Sequence, residues 1–316
     1  MSANPVFSAE AYLENHLSTD DIDDILKEDV DIHFGDLPDD EYQLVDYELL
    51  IQKVAVKRAK KHIGKTKLYT DNIGYAYYKK MGMIKFWDEI DTETLENFNT
   101  EYSNISPGRF WTTGKSFVMG KEPIPYVFVD LDFIIRSPLP KWLFNYDLVH
   151  TQWEIQRGEF FVFEHQVNEI GGIEDFVQNM MVPNTSFVFM NNEELRDLYY
   201  KKHIDIISRK YDEVPEWLWL IADQGLLGYS ARKLNSKVET IENRIYLSYP
   251  ELPLDNQLVG KGLFWVKDPN RIDHEENLDY EHIWFTKHAL KTYEKYRISK
   301  MCELQEELDK LTPKII

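Results

Sequence analysis

The sequence predicts an α/β fold, with a parallel or mixed sheet flanked by helices. Two observations carry that prediction. Helical and strand-like segments alternate through the first part of the chain, and the strand-like runs are short and almost wholly apolar, as strands covered on both faces are. With 316 residues and 43% hydrophobic content, the chain can bury one large core or two modest ones.

The elements follow in order. Residues 1–40 form an acidic leader, read as a loosely packed arm or a solvated helical lead-in with Tyr12, Leu13, Leu17, Ile22, Ile25 and Leu26 as an apolar stripe. From Glu41, the recurrence of Leu44, Leu50, Val54 and Ala55 predicts a helix. Lys57, Arg58, Lys60 and Lys61 gather near its end, and Gly64 is its C-terminal stop. Lys67-Leu-Tyr-Thr-Asp71 is a short strand ending in a carboxylate, Tyr75 to Met81 a second helix, and Met83 to Trp87 a further strand. Arg109 to Gly120 is a helix, followed by the most strand-like run of the chain, Tyr126-Val-Phe-Val129. Strands at Leu148 to Trp153 and Ser186 to Met190 and a helix at Pro215 to Leu234 continue the scheme. His288 to Leu311 reads as one long C-terminal helix. Its Met301, Leu304, Leu308 and Leu311 stripe is too short for a coiled coil and is expected to pack back on the domain. The division is therefore a 1–40 leader, a 41–287 α/β domain and a 288–316 C-terminal helix.

Composition excludes several classes. No run of 18 apolar residues exists, so no membrane span is expected. Met1 to Glu10 lacks a basic start followed by an apolar block and does not read as a secretory signal. The single cysteine, Cys302, rules out an internal disulfide framework or a cysteine-rich zinc site and suits a reducing, cytoplasmic compartment. Of the net charge of −19, the leader's twelve acids and one base account for 11. The chain lacks the basic balance by which proteins displace counterions from phosphates, which argues against nucleic acid as a partner.

Chemistry concentrates after the strand Tyr126 to Val129. Asp130-Leu131-Asp132 stands at its carboxyl end, where open α/β sheets collect their ligands. Alternation is expected to point both carboxylates to one side, with Leu131 turned into the core. Two such groups repel unless a cation neutralises them, and oxygen ligands of this kind suit Mg²⁺ or Mn²⁺. The plain alternative is one carboxylate capping the next turn and the other solvated.

Val127-Phe-Val-Asp130-Leu-Asp132-Phe-Ile-Ile135-Arg-Ser-Pro138-Leu139 resembles the DxD segment of the GT-A glycosyltransferases. Five further segments resemble family elements in the same order: Leu68-Tyr-Thr-Asp71-Asn72-Ile73-Gly74, Phe110-Trp111-Thr-Thr-Gly114-Lys115, Val182-Pro183-Asn184-Thr185-Ser186-Phe187-Val188-Phe189, Ala222-Asp223-Gln224-Gly225-Leu226-Leu227 and His282-Ile283-Trp284-Phe285-Thr286-Lys287. The likeness spans roughly Leu44 to Lys287 and is nearest to bacterial and phage glycosyltransferases akin to the retaining galactosyl and mannosyl groups. It departs at the start, where the family's first strand has no clear counterpart in the acidic leader.

The resemblance implies a GT-A-like single domain with a mixed, mostly parallel central sheet. It implies transfer of a sugar from a UDP-sugar or GDP-sugar donor to a glycan, protein or small-molecule acceptor. Asp130, Asp132 and His282 would hold Mn²⁺ or Mg²⁺. Asp71 would reach the nucleoside, Lys115 the ribose or phosphate, and Lys287 a phosphate oxygen. Asn184, Asp223 and Gln224 would lie near the transferred sugar or the acceptor. The His-x-Trp-x-x-Lys likeness leans towards retention, and the donor sugar and acceptor stay open. For His282, Lys287 and Asp223 the plain alternatives are a structural histidine, a solvated lysine and a helix-surface acid. Trp153, Trp217 and Trp219 can stack on sugar rings or simply fill core.

Two other functions compete. A catalytically inactive nucleotide- or sugar-binding module uses the same residues without transfer. A phosphatase also starts from strand and Asp-x-Asp but continues with a small hydroxyl residue, where this chain has Phe133-Ile134.

Overall fold

The computed structural model describes residues 44, 46–102, 112–155, 181–209, 221–241, 244–247, 265–267, 279–283 and 294–312. The acidic leader, Arg109 to Trp111, Pro215 to Leu220, Trp217 and Trp219, Trp284, Lys287 and the expected start of the last helix at His288 lie outside them. Among the described residues, no helix is long and apolar enough to cross a membrane.

Helix α1, Asp46–His62, begins with Asp46 and Glu48 and ends with Lys60, Lys61 and His62, which complements the helix dipole. Gly64 adopts φ +131° and donates its N–H to the Ala59 carbonyl, closing the helix as expected of a residue without Cβ. Unlike an amphipathic surface helix, α1 is covered on two sides. Tyr47, Leu50, Ile51, Val54 and Ala55 pack into one cluster, and Leu49 and Val56 into another with Leu68, Tyr78, Met83 and Trp87.

Strand β1 is Lys67–Tyr69, followed by α2, Asn72–Lys80. The expected strand at Met83 to Trp87 is not one: Ile84–Phe86 form a 3₁₀ turn. The apolar run buries Met83 and Trp87 at its two ends while the turn between them stays partly exposed. The partner of β1 is instead β2, Glu89–Asp91, parallel in the register Leu68↔Ile90. Helices α3, Glu93–Glu101, and α4, Thr113–Lys121, lead to β3, Tyr126–Val129, and β4, Phe133–Ile135.

The predicted strand from Leu148 to Trp153 divides into β5, Leu148–His150, and β6, Trp153–Ile155, which belong to different sheets. The break is held by one side-chain and one backbone hydrogen bond. The Thr151 hydroxyl accepts the Phe187 N–H at 2.9 Å, and the Gln152 carbonyl accepts the Asn184 N–H at 2.9 Å. Next come β7, Met181–Pro183, β8, Phe187–Met190, and α5, Glu193–Ile207, which Asn192 caps by accepting the Leu195 N–H at 3.0 Å. The described part of the helix expected at Pro215 to Leu234 is a π-helical turn, Ile221–Gly225, running into α6, Leu226–Lys233. Strands β9, Val238–Thr240, β10, Arg244–Leu247, β11, Trp265–Lys267, and β12, Tyr280–His282, precede α7, Glu294–Leu311.

Four-stranded sheets are ordered β3-β8-β5-β9 and β11-β10-β6-β7, and β4 pairs with β12. The fold is thus mixed α/β, but the described pairings are not mostly parallel. Only β1/β2, β6/β10 and β5/β9 run parallel, against five antiparallel pairs. Nor is β3 an interior strand of its described sheet: it lies at the edge, antiparallel to β8, and its four residues are only partly buried. Alternation along β5 and β8 divides the core. Leu148, Val188 and Met190 face Met119, Leu195, Tyr199 and Leu226 on the helices, whereas Val149, Phe187 and Phe189 face Phe133, Ile135 and Leu143. Helix α7 packs back on α1 through Leu304, Met301 and Leu308, as its short stripe predicts.

Candidate metal centre

The carboxylates of the Asp-x-Asp segment stand on a turn rather than along a strand. The Asp130 N–H donates to the Ser186 carbonyl at 2.8 Å, extending the β3/β8 ladder by one bond. The Phe133 N–H then donates back to the Asp130 carbonyl at 3.0 Å, so the chain reverses into β4. Leu131 is turned inward against the Leu68, Tyr78 and Trp87 cluster, as expected. Strand β12 lies antiparallel to β4 with His282 opposite Phe133, and the Ile283 N–H donates to the Asp132 carbonyl at 3.0 Å. This pairing delivers His282 across 150 residues of sequence to the two acids. Ligand atoms of Asp130, Asp132 and His282 all lie within 4.8 Å of one another, with His282 Nε2 3.5 Å from Asp132 Oδ1. Two carboxylates and one imidazole fit Mn²⁺ or Mg²⁺, and Mn²⁺ tolerates the nitrogen better.

Helix α4 brings in Lys115, whose Nζ lies 2.9 Å from Asp130 Oδ1. Burial works against its charge, but Asp130, Asp223 and Asp132 outweigh burial and hold the ammonium pKa above the ordinary lysine value. Burial likewise disfavours the His282 imidazolium. Asp132 and then Asp130 prevail and raise its pKa.

Asp223 sits on the π-helical turn, 3% exposed. Its Oδ2 accepts the Thr185 hydroxyl at 3.0 Å, and Oδ1 lies 3.3 Å from the Tyr199 hydroxyl, which also reaches Ser116 Oγ at 2.7 Å. Burial raises the Asp223 pKa, Lys115 pulls it down, and Asp130 adds to the rise, leaving it above its ordinary value. Asn184, next to Thr185 in sequence, is oriented by Ser186, whose N–H (3.0 Å) and hydroxyl both donate to Asn184 Oδ1. Gln224 is half-buried, and its Oε1 meets no hydrogen-bond partner among the described residues.

One cleft of about 1380 Å³ has Lys115, Asp130, Asp132, Asn184, Asp223, Gln224 and His282 in its wall. It exceeds the roughly 300–1,000 Å³ of ordinary small-molecule sites. Tyr47, Gln52, Leu68 and Tyr69 line it too. Seven of the nine sequence-predicted site residues therefore come together. Asp71 does not join them. It is the N-cap of α2, accepting the Gly74 N–H at 2.7 Å, and is not part of the cleft wall. Lys287 lies outside the described residues.

Sequence reasoning missed Thr185 and Tyr199, which orient Asp223. Thr185 stands beside Asn184 in a hydroxyl-rich Asn-Thr-Ser segment, a visible signal. Tyr199 is a helical aromatic like many others, and only packing assigns it.

Trp153 is half-buried with its ring 4.4 Å from that of His150. No protein-family model, curated protein or solved structure matches the chain.

Proposed function

We propose that the chain is a metal-dependent glycosyltransferase of the GT-A kind, moving a sugar from a UDP- or GDP-sugar to an acceptor, with retention favoured. The observation that carries this reading is the convergence of Asp130, Asp132 and His282 on a cleft that also holds Lys115 and a shielded carboxylate, Asp223. Asp130, Asp132 and His282 would hold a divalent cation, whose Lewis acidity would neutralise the charge of a leaving diphosphate. Lys115 adds a fixed positive charge for the phosphate oxygens, delivered as a point charge from a rigid helix. Asp223, held by Thr185 and Tyr199, would accept sugar hydroxyls or stabilise positive charge at the anomeric carbon. The Asn184 and Gln224 amides complete the polar wall. The reading also carries the expectation of a cytoplasmic enzyme.

A thermal-shift screen of UDP- and GDP-sugars with Mn²⁺ tests it. Stabilisation by a nucleotide sugar that needs Mn²⁺ and disappears in Asp132→Ala is the expected result. Indifference to every nucleotide in the presence of Mn²⁺ would sink the transferase. One observation favours the runner-up, a non-catalytic nucleotide- or sugar-binding protein: the Lys115–Asp130 ion pair already supplies the acid cluster with a cation. Metal-independent nucleotide binding without donor hydrolysis would select it.

A further inference from the structure

Strand β12 is three residues long and pairs with β4, with one further backbone bond beyond each end: the Arg136 N–H to the Asp279 carbonyl at 2.6 Å and the Ile283 N–H to the Asp132 carbonyl at 3.0 Å. These bonds tie the backbone to one neighbour only among the described strands. The neighbour of His282 adds side-chain anchors to other elements. Successive strand residues face opposite ways, and while His282 faces the cleft, Glu281 points into a mesh of ion pairs. Arg136, just past β4, meets Glu281 Oε2 at 2.6 Å, and Lys300 of α7 meets Glu281 Oε1 at 2.8 Å. Arg136 also contacts Glu307 of α7 at 3.2 Å, and Arg58 of α1 meets the same carboxylate at 2.5 Å.

The mesh is well shielded. Side-chain exposure is 10% for Lys300 and Glu307, 21% for Arg136 and 28% for Glu281. Burial opposes the Glu281 charge, yet Lys300 and Arg136 outweigh it and depress the carboxyl pKa. Each Glu281 oxygen is engaged by a different element, so the residue has little freedom to rotate.

We infer that Glu281, clamped between Arg136 and Lys300, is a positioning residue for the metal centre and makes the C-terminal helix part of the cation site. Fixing the Glu281 side chain fixes the backbone at His282 and so the line along which the imidazole nitrogen points. The inference rests on the proposed metal site. It also goes beyond that site, because α7 contributes none of the metal-site residues.

The test uses the full chain with Mn²⁺ alone, read by electron paramagnetic resonance. Wild type is expected to take up one Mn²⁺ and to show nitrogen hyperfine coupling from one histidine, absent in His282→Ala. Glu281→Gln and Lys300→Met should weaken Mn²⁺ about 10–100-fold, as loss of a ligand-orienting partner does, with the nitrogen coupling diminished. Lys300→Arg should restore most of the affinity. Arg58→Met breaks the same mesh away from Glu281 and should lower the melting temperature while leaving Mn²⁺ affinity within about 2-fold. Wild-type uptake with unchanged affinity and coupling in folded Glu281→Gln and Lys300→Met overturns the inference while sparing the metal site. A wild-type chain that takes up no Mn²⁺ overturns the metal reading itself.

Discussion

Lys115→Met removes an ammonium 2.9 Å from Asp130 Oδ1 and keeps the length of the alkyl stem. That ammonium answers three carboxylates, Asp130, Asp223 and Asp132, and its pKa is raised by them despite burial. It therefore stays charged through the working pH range and occupies part of the field a divalent cation would use. The pair is neither exposed nor sealed, at 16% and 31% side-chain exposure. An exposed pair contributes about 0–1 kcal/mol, and breaking a buried one costs about 3–5 kcal/mol. An intermediate figure of about 1.5–2 kcal/mol is appropriate, which is roughly 10–30-fold in an equilibrium constant. Mn²⁺ without nucleotide should thus bind Lys115→Met about 10–30-fold more tightly than wild type, measured by titrating the free-ion resonance signal. With Mn²⁺ saturating, nucleotide diphosphates should bind the variant more weakly, since the positive charge for the phosphate is gone. Equal or weaker Mn²⁺ binding by a folded Lys115→Met chain would refute the idea that lysine and metal compete for these acids.

Two further perturbations separate capping from chemistry and locate a pH dependence. Asp71→Ala should cost about 1 kcal/mol of stability by removing the α2 cap, read as a lower urea midpoint, with nucleotide binding unchanged; a selective loss of nucleotide affinity would return Asp71 to the donor site. His150 and His203 are buried, and burial pushes their pKa values down to about 3 and about 4 against weaker support from backbone carbonyls of Gln152 and Ala222. The unfolded chain protonates them near pH 6.5, the folded chain does not, so the unfolded state binds more protons in between. Stability present above about pH 6.5 is lost progressively as pH falls toward those folded values, by up to about 1.4 kcal/mol per pH unit for each histidine. Urea unfolding at pH 7, 6 and 5 should show this slope, and His203→Gln should make it shallower; an identical slope in the variant would mean other groups set the acid sensitivity.

Much of the site was legible because its groups follow recognisable local runs. Asp130 and Asp132 come directly after an apolar β-rich run, and Asp223 and Gln224 precede the apolar Leu226-Leu227. The differences have local causes too. Asp71 follows a strand, as a ligand position does, but the next residue starts a helix and Asp71 Oδ1 accepts the Gly74 N–H. Met83 to Trp87 is apolar enough for a strand, but Ile84–Phe86 turn as a 3₁₀ helix that packs Ile84 and Phe86 against the cluster burying Met83 and Trp87. The mixed sheet was expected, but the balance of parallel and antiparallel pairs among the described strands was not legible, because alternating helices and strands do not specify the direction in which distant strands meet.

What the residues by themselves determined was the α/β class, most of the helix and strand positions, and the acid pair. Each depends on neighbours within a turn or two, where periodicity and propensity act. What only the tertiary structure decided was which distant groups share a space. His282 reaches the acids through the β4/β12 pairing, Tyr199 reaches Asp223 through the packing of α5, and Arg58 finds Glu307 across 249 residues. Such contacts follow from burying apolar faces together, and no local pattern encodes their partners.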